Sequence, residues 1–438
     1  MSTPLSTIPP TWESTRLDRV ATVNARIGWK ALTASEYQPD GYAFLATPNI
    51  KGVEIDFDNV NYISDFRYHE SPELQLQEGD VLLTKDGFTL GTVNVVTNLP
   101  RPATVNGSIA VLRPFGMHSR FLRYVIASTA IQQHMWAAKN GMDVLHLFQR
   151  DIKKIPLPSP PTEEQRRIAD FLDGETARID RLATLRHQQM GLWSDRFHTF
   201  VRQQVTAAPG LTSRGDEIDW LGHIPADWQS ATINRLARFV MGTTFPHAYQ
   251  GQRSGEYPFI KVSDFQSADE LDRMISAENW ITKEVAVELG ARIVPAGAIL
   301  YARVGAALLL NRRRITTRPS VIDDNVRAIC FTQGDPRFWA AVLSLLDMGQ
   351  LSNPGPVPSI GESQVAAVRV PNPDEKAQIA IADRLERYRL HLIRTRSAIE
   401  RQLHLLTERR QALITAAVTG QFDVSTASGR NVSDGVSA

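Results

Sequence analysis

The strongest constraint on the fold of this chain is an internal repeat. The matching segments are residues 8–12 with 224–228, 79–87 with 297–305, and 165–172 with 378–385. The first pair shares Ile-Pro-x-x-Trp, and the third shares Gln-x-x-Ile-Ala-Asp-x-Leu. The three matches occur in the same order, at offsets of 216, 218 and 213 residues in a chain of 438. We therefore predict two tandem copies of one unit.

The composition places the chain among globular proteins. Hydrophobic residues make up 42% and charged residues 22%, which is ordinary for a soluble domain. No apolar run reaches the 18 or more residues of a membrane span. The lone cysteine, Cys330, excludes an internal disulfide framework and a cysteine-rich zinc site. We expect a protein of the reducing cytoplasm with no membrane partner.

Each copy divides into a mixed part and a long helix, so the predicted fold class is α+β. The expected boundaries are a mixed domain at 1–158, a central helix at 159–206, a second mixed domain at 207–371, a C-terminal helix at 372–424 and a flexible tail at 425–438. The strand-like runs are 80–84, 92–96, 108–112, 298–302 and 327–331, and the helical patterns are 120–137 and 337–347. Gly, Pro and Asn punctuate these runs.

Both long helices carry an apolar residue every seven positions, which is typical of a coiled-coil seam. The seam positions are Leu172, Ile179, Trp193 and Phe200 in the first helix, and Leu385, Leu392, Ile399, Leu406 and Leu413 in the second. Arg186 occupies the remaining heptad position, as a break in the seam or as a partner contact. We expect the helices to pair as an antiparallel coiled coil that relates the two mixed domains by a pseudo-two-fold axis. The alternative is two amphipathic helices lying on globular cores.

The helix starts carry capping signals. Asn372 as N-cap, Pro373 at the first helical position and Glu375 form one start, and Ser159 or Thr162 caps the other, with Gln165 completing a capping box for Thr162. At about 1.5 Å per residue, such a helix spans roughly 60 Å. That length separates the mixed domains by one to two turns of duplex DNA, at about 34–36 Å per turn.

The formal net charge of +1 hides an uneven order of charges. Residues 51–86 and 256–288 are rich in acids, whereas residues 87–142 and 289–322 contain none and carry several arginines. An acid-free basic stretch at the same place in both copies favours one DNA-facing surface per mixed domain. The alternative is that these stretches are partly core strands with solvated arginines.

The candidate DNA contacts come mostly from these stretches. Lys85 and Arg303 occupy equivalent places in the repeat, each between a strand-like run and a glycine, so we expect both at loop tips. Asn106-Gly107 signals a turn, although Asn106 is also able to read adenine. The full set of candidates is Lys85, Arg101, Asn106, Arg120, Arg303, Arg312, Arg313 and Arg314.

Catalytic motifs are missing from the sequence. It has neither a phosphate-binding Gly-x-x-x-x-Gly-Lys-Ser/Thr loop nor a Gly-x-Gly-x-x-Gly turn. Residues 373–376, Pro-Asp-Glu-Lys, resemble a nuclease cluster but stand at a helix start, where acids suit the helix dipole. The histidines show no zinc-ligand spacing. We therefore predict no catalytic residue and no metal site.

Three segments resemble the specificity (S) subunits of type I restriction-modification systems. Residues 155–173, from Ile-Pro-Leu-Pro to Ala-Asp-Phe-Leu-Asp, resemble the start of that family's central helical region. Residues 217–228, Glu-Ile-Asp-Trp-Leu-Gly-His-Ile-Pro-x-x-Trp, look like the beginning of its second target-recognition domain. Residues 410–420 look like the end of its C-terminal helix. The resemblance covers nearly the whole chain.

The resemblance implies a non-catalytic DNA-recognition subunit. Each target-recognition domain would read one half of a bipartite, asymmetric site in double-stranded DNA, and the helices would set the spacer between the halves. Two methyltransferase (M) subunits would dock on the helices, joined by restriction (R) subunits. S-adenosylmethionine, ATP and Mg would be bound by those partners, with no cofactor in this chain. The alternative is a duplicated coiled-coil scaffold without a DNA role; a self-contained modification enzyme conflicts with the missing motifs.

Overall fold

The chain folds into two compact units in a computed structural model. One unit comprises Met1–Arg186 with Arg401–Ala438, and the other comprises His187–Glu400. The structure describes residues 8–25, 32–139, 145–206, 214–353 and 355–425. Each unit thus contains one mixed domain together with part of each long helix. Apart from Ser425, the predicted flexible tail at 425–438 lies outside the described residues.

The first mixed domain is built from short strands joined by helical turns. Its strands are β1 (Glu13–Arg16), β2 (Ala21–Asn24), β3 (Tyr42–Leu45), β4 (Asn61–Ile63), β5 (Val81–Thr84), β6 (Val93–Val95), β7 (Ala103–Val105), β8 (Ile109–Pro114) and β9 (Pro156–Ser159). Its helices are α1 (Asp65–His69), α2 (Ser119–Ala127), α3 (Thr129–Ala138) and α4 (Gln149–Ile152). Short 3₁₀ turns cover Leu17–Arg19, Ala34–Glu36, Thr47–Ile50 and Pro72–Leu74. The strand-like runs of the first copy coincide with β5, β6 and β8, whereas the single helix predicted over 120–137 is divided at Ser128.

Two small sheets form the centre of this domain. One is antiparallel with the order β2-β8-β5-β6, and the other has the order β4-β3-β7, in which β3 and β7 run parallel. Strand β5 is buried along its whole length, because β8 and β6 flank it and its side chains enter two cores. Val81 and Leu83 belong to the core shared with α2, and Leu82 belongs to the core beneath β3 and β7. Such burial on both faces explains the continuous apolar run.

The helix predicted over 159–206 is interrupted. Helix α5 spans Thr162–Gly191 and α6 spans Trp193–Val205, with Leu192 as the break between them. Gly191 precedes the break, and glycine is a poor helix former because it loses more backbone entropy than other residues. Thr162 is the first helical residue rather than a residue preceding the helix.

The second mixed domain follows the same plan. Its strands are β10 (Arg214–Ile218), β11 (Gly222–Pro225), β12 (Gln229–Thr232), β13 (Ala237–Met241), β14 (Tyr257–Ile260), β15 (Arg273–Met274), β16 (Asn279–Ile281), β17 (Ile299–Ala302), β18 (Arg314–Thr316), β19 (Val321–Ile322), β20 (Val326–Phe331) and β21 (Arg369–Asn372). Its helices are α7 (Ile233–Leu236), α8 (Lys283–Glu288), α9 (Ala306–Leu309), α10 (Pro336–Ser344), α11 (Met348–Leu351) and α12 (Glu362–Ala366), with 3₁₀ turns at His247–Tyr249 and Val262–Ser267.

The strand order of the first unit recurs in the second. Strands β13-β20-β17-β18 follow the order of β2-β8-β5-β6 and are extended by β15, and β16-β14-β19 follows the order of β4-β3-β7. Again the central strand is antiparallel to one neighbour and parallel to the other. The pair β12–β21 corresponds to β1–β9, and β10–β11 is an additional hairpin.

The C-terminal helix, α13, spans Glu375–Val418 without a break. Its predicted cap is wrong, because Asn372 is the last residue of β21 and the Asp374 carboxylate accepts the first-turn hydrogen bond from Ala377 N at 2.7 Å. Asp374 immediately precedes the first helical residue. Its carboxylate therefore satisfies one of the N–H groups that have no partner within the helix start.

The seam positions of the two helices lie in the cores of their own units. In the first unit Leu172, Ile179 and Leu413 are buried and Leu406 is half-buried. Leu172 and Leu413 share one core with Phe121 of α2, so the same heptad residues also hold the mixed domain. The helices run in opposite directions there, since Asp180 of α5 lies 3.2 Å from Arg410 of α13 and residues before 180 meet residues after 410.

The second unit has the corresponding arrangement. Trp193, Leu385 and Ile399 are buried, whereas Phe200 and Leu392 are half-buried. The rings of Phe200 and Tyr388 have centroids 4.1 Å apart. Here α6 packs against the first half of α13.

A buried glutamine fastens the start of each long helix to its mixed domain. In the first unit the Gln165 side chain donates to Pro160 O at 2.9 Å and accepts from His118 N at 2.8 Å. In the second unit Gln378 donates to Pro373 O at 3.0 Å and accepts from Asp335 N at 3.2 Å. The repeated Gln-x-x-Ile-Ala-Asp motif thus begins with a residue that joins helix and domain, and not with a member of a capping box.

Candidate nucleic-acid interface

Lys85 lies in the interior of the first unit and not at an exposed loop tip. The residue is only 7% exposed, and its Nζ lies 2.7 Å from Asp86 Oδ2. The other oxygen of Asp86 binds His146 Nδ1. The loop-tip prediction is therefore wrong for Lys85, because β5 continues directly into a bridge between Asp86 and His146. In this arrangement the ammonium is neutralised within the domain.

Arg101 and Asn106 lie at the surface of the same unit. Arg101 is exposed; its Nη1 donates to Asp40 Oδ1 at 2.8 Å, and its guanidinium lies 4.9 Å from the centre of the Tyr62 ring. The hydrogen bond to Asp40 raises the pKa of Arg101. Asn106 is half-buried in the turn between β7 and β8, where its side-chain oxygen accepts from Ser108 N at 3.2 Å. This geometry agrees with the turn interpretation of Asn106-Gly107.

Arg120 fastens α2 to the long helix α5. Its guanidinium lies 2.7 Å from Asp170 Oδ1 and 2.6 Å from Asp173 Oδ2. The hydrogen bond that Arg120 donates to Asp173 is the largest reason why the pKa of Arg120 is raised. A guanidinium held by two carboxylates has little remaining charge for a phosphate, so the structure does not favour Arg120 as a DNA contact. We call Arg120, Asp170 and Asp173 the first helix clamp.

The second unit has an equivalent clamp. Arg337, near the start of α10, lies 2.8 Å from Asp383 Oδ1 and 2.7 Å from Glu386 Oε2 on α13. In both clamps the acids are three residues apart, so they share one face of the long helix. Arg337, Asp383 and Glu386 form the second helix clamp. Its recurrence indicates that these arginines join the mixed domains to the helices.

Three of the second-copy candidates are engaged within their own unit. Arg303 is half-buried and its Nε donates to Asp324 O at 3.1 Å. Arg314 Nη1 lies 2.6 Å from Asp272 Oδ1, and Arg314 Nε donates to Phe265 O at 2.8 Å. Arg313 is only 4% exposed, and this burial lowers the pKa of its guanidinium to about 10. Arg313 and Arg314 are therefore structural residues, contrary to the prediction of a DNA-facing arginine run.

Arg312 differs from its two neighbours. It is half-buried, and no ion pair to it occurs among residues 8–25, 32–139, 145–206, 214–353 and 355–425. Replacing Arg312, Arg313 and Arg314 together would remove one unpaired guanidinium and the internal contacts of two others. Arg312 alone is therefore the informative position to replace.

Cations stacked on aromatic rings are surface features that the sequence analysis missed. Lys139 Nζ lies 3.8 Å from the centre of the Trp136 ring, and the guanidinium of Arg318 lies 5.6 Å from that of Trp280. A stacked cation keeps its charge while its side chain is held in place. Lys139 follows the last residue of α3 and lies three residues after Trp136, and this short spacing was a usable signal. Arg318 and Trp280 are too distant in sequence for any local pattern to reveal them.

Each unit also contains a basic cleft. In the first unit a cleft of about 580 Å³ is lined by Lys51, Arg123 and Trp136 among others. In the second unit a cleft of about 520 Å³ lies between α6, α10, α13 and residues 310–315. Arg312 and Arg313 line the second cleft.

The described residues contain no cluster of three or more His, Cys, Asp or Glu side chains that is able to hold a metal ion. Within the same residues, none of the helices combines the length and the apolar character that crossing a membrane requires.

Comparison with known proteins gives a family match in the first part of the chain. Residues 9–188 match the family model of the type I restriction modification DNA specificity domain. Over 267 residues the chain is 22% identical to the MjaX specificity subunit of Methanocaldococcus jannaschii, covering 59% of this chain and 61% of the relative. The MjaVIII type I restriction enzyme specificity subunit of the same organism is 21% identical over 187 residues, 42% of each chain. The aligned regions thus span about half of the length of these relatives.

Two solved structures share the fold over nearly the whole chain. A chain from a study of complex assembly and conformational transition of the type I R-M system superposes with a TM-score of 0.73 at 16% identity, covering 95% of this chain and 99% of that one. The HsdS subunit from Thermoanaerobacter tengcongensis superposes with a TM-score of 0.58 at 17% identity, covering 96% and 100%. The mixed α/β fold of these structures is therefore the fold of this chain.

Proposed function

We propose that this chain is a specificity subunit of a type I restriction-modification system, and that each of its two mixed domains reads one half of a bipartite, asymmetric site in double-stranded DNA. The observation that carries this proposal is the recurrence of one strand order in both units. Residues 9–188 match a DNA specificity domain, and the second unit repeats that topology. Two mixed domains with the same strand order suit a DNA site with two halves.

The surface that meets DNA is proposed from accessible cations that stack on aromatic rings. Arg101 lies over Tyr62, Lys139 over Trp136, and Arg318 over Trp280. Stacking holds the cation in place at little entropic cost, and arginine and lysine both neutralise phosphates. Arg303 and Asn106 remain further candidates because both are partly accessible at the ends of strands.

We propose that the two long helices form an antiparallel coiled coil, with the mixed domains related by a pseudo-two-fold axis. Opposite helix directions within each unit support this, as in the Asp180–Arg410 and Phe200–Tyr388 contacts. In this proposal the helices set the spacer of the DNA site and dock two methyltransferase subunits. Restriction subunits complete the complex, and the partners bind S-adenosylmethionine, ATP and Mg. Chromosomal DNA as substrate suits a cytoplasmic location.

The decisive experiment is a methylation map. The purified chain and its methyltransferase subunits are incubated with unmethylated genomic DNA, and modified adenines are located by single-molecule sequencing. We expect one split, asymmetric motif with a fixed spacer. Methylation without sequence preference would refute DNA recognition and favour the scaffold alternative.

A single replacement tests the proposed surface. Arg101→Ala should weaken DNA binding by the complex and reduce the slope of log K against log salt by about 1, as expected for one lost phosphate contact. The matched control is Arg166→Ala, which removes an exposed arginine paired with Glu163 on α5. Equal salt slopes for Arg101→Ala and the unmodified chain would remove Arg101 from the interface.

A further inference from the structure

The cleft of the second unit is rich in arginine. Among the described residues that line it, seven are arginines and four are carboxylates. Most of these charges are paired: Asp272 lies 2.6 Å from both Arg314 and Arg389, and Glu386 lies 2.6 Å from Arg273 and 2.7 Å from Arg337. Arg396 pairs with Glu400 at 2.8 Å, so the excess positive charge is concentrated at the two remaining arginines.

Arg312 and Arg313 carry this excess. The Arg313 guanidinium donates to Arg312 O, Asn311 Oδ1 and Leu346 O at 3.2, 3.0 and 3.0 Å, all of which are neutral acceptors. In the part of the chain that the structure describes, no carboxylate lies within 4.0 Å of either guanidinium. A buried cation without a counter-ion is unfavourable, and an anion that enters the cleft would compensate it.

Two buried hydrogen-bond donors on the cleft wall lack acceptors. Trp193 Nε1 and Arg313 Nε have no hydrogen-bond partner among the described residues, and the two side chains are only 9% and 4% exposed. Indole and guanidinium N–H groups donate and never accept. Only an acceptor satisfies such donors, and because both nitrogen atoms are closed to solvent, an acceptor reaches them when side chains of the cleft wall move.

We propose that this cleft binds a phosphate-bearing small molecule of nucleotide size. Phosphate oxygens are anionic acceptors, and an arginine fork binds them in a bidentate manner. The volume of about 520 Å³ lies within the usual range of small-molecule sites, roughly 300–1,000 Å³. We commit to a free molecule, because a cleft of this volume holds a whole nucleotide but not a length of duplex. The site lies beyond the proposed reading of DNA and does not depend on it.

The test uses isothermal titration calorimetry on the full chain with ATP, AMP, inorganic phosphate and adenosine as probes. We expect ATP or AMP to bind and adenosine, which lacks phosphate, not to bind. Arg312→Ala should weaken nucleotide binding at least tenfold. Trp193→Phe keeps an aromatic ring but removes the N–H donor, and should weaken binding several-fold. Arg292→Ala, an exposed arginine outside the cleft, should leave the affinity unchanged.

Several results would overturn the proposal. These are adenosine binding as tightly as ATP, no binding of any phosphate probe at millimolar concentration, or equal losses for Arg312→Ala and Arg292→Ala. A DNA competition arm separates the two possible sources of phosphate. If a short duplex displaces the nucleotide and Arg312→Ala also weakens duplex binding, the cleft belongs to the DNA surface and not to a separate site. Duplex binding by the unmodified chain is measured independently, so failure here is distinct from failure of DNA recognition.

Discussion

Replacing Arg120 by alanine separates a structural role from a DNA-binding role. In the structure this side chain makes ion pairs of 2.7 and 2.6 Å with Asp170 and Asp173. Asp173 also accepts a hydrogen bond of 2.6 Å from the Tyr124 hydroxyl, whose pKa is raised to about 12 mainly by burial. Arg120→Ala therefore leaves one carboxylate with a single remaining partner at the contact between α2 and α5.

The expected magnitude follows from the exposure of the clamp. The side chains of Arg120 and Asp173 are each 35% exposed, so solvent screens the pair. Exposed ion pairs contribute about 0.2–1 kcal/mol, whereas charged hydrogen bonds in the interior contribute about 1.5–3 kcal/mol. Two partly exposed contacts place the loss for Arg120→Ala at about 1–2 kcal/mol of local stability.

Hydrogen–deuterium exchange is the suitable assay because it reports opening of a local segment rather than of the whole chain. Protection should fall in peptides from α2 and from the start of α5. Arg123→Ala, which removes the same charge one turn later on α2, should leave protection nearly unchanged. A double-mutant cycle with Asp173→Asn should give a coupling energy of about 1 kcal/mol. Unchanged protection together with weakened DNA binding would refute the clamp and restore Arg120 as a DNA contact.

Two further predictions follow from burial. Leu413→Ala should lower the free energy of unfolding of the first unit by about 3 kcal/mol, because Leu413 is 0% exposed. The control Leu405→Ala, at a position 60% exposed, should change that free energy by under about 0.5 kcal/mol. Equal effects of the two replacements in denaturant titrations would contradict the described packing of α13. Burial raises the pKa of the Cys330 thiol to about 11, and only the thiolate is nucleophilic, so the rate of alkylation in the folded chain should still be rising above pH 9. A plateau in that rate near pH 9 would contradict the burial of Cys330.

The positions of the strands and helices were largely predictable from local patterns. The strand predicted at 80–84 corresponds to β5, and the strand predicted at 298–302 corresponds to β17. Such strands are predictable because an apolar run and the Gly and Pro residues that bound it are local features of the sequence. The helix break at Leu192 and the cap at Asp374 were not predicted. Several neighbouring residues were suitable for each role. Which of them takes the role depends on contacts in the folded chain, and a short motif does not contain that information.

The candidate site was predicted less well, for a definite physical reason. Residues 87–142 contain no acid, yet Arg113 pairs with Asp80 at 2.8 Å and Arg120 pairs with two acids of α5. Residues 289–322 also contain no acid, yet Arg314 of this stretch pairs with Asp272. A segment that is acid-free in sequence is not acid-free in space, because the chain returns acids from distant segments.

The sequence by itself predicted a duplication, carried the family resemblance and indicated long helical segments at 159–206 and 372–424, because repeated residues and regular spacing are visible without a structure. Only the tertiary structure decided which cations keep a free charge. Coulomb attraction acts between side chains that are close in space, and folding brought carboxylates to Lys85, Arg120 and Arg314. It left Arg312 and Arg313 without one in the described chain, and it left the Nε1 of Trp193 and the Nε of Arg313 without an acceptor there. That juxtaposition, drawn from segments far apart in sequence, exists only in the folded protein.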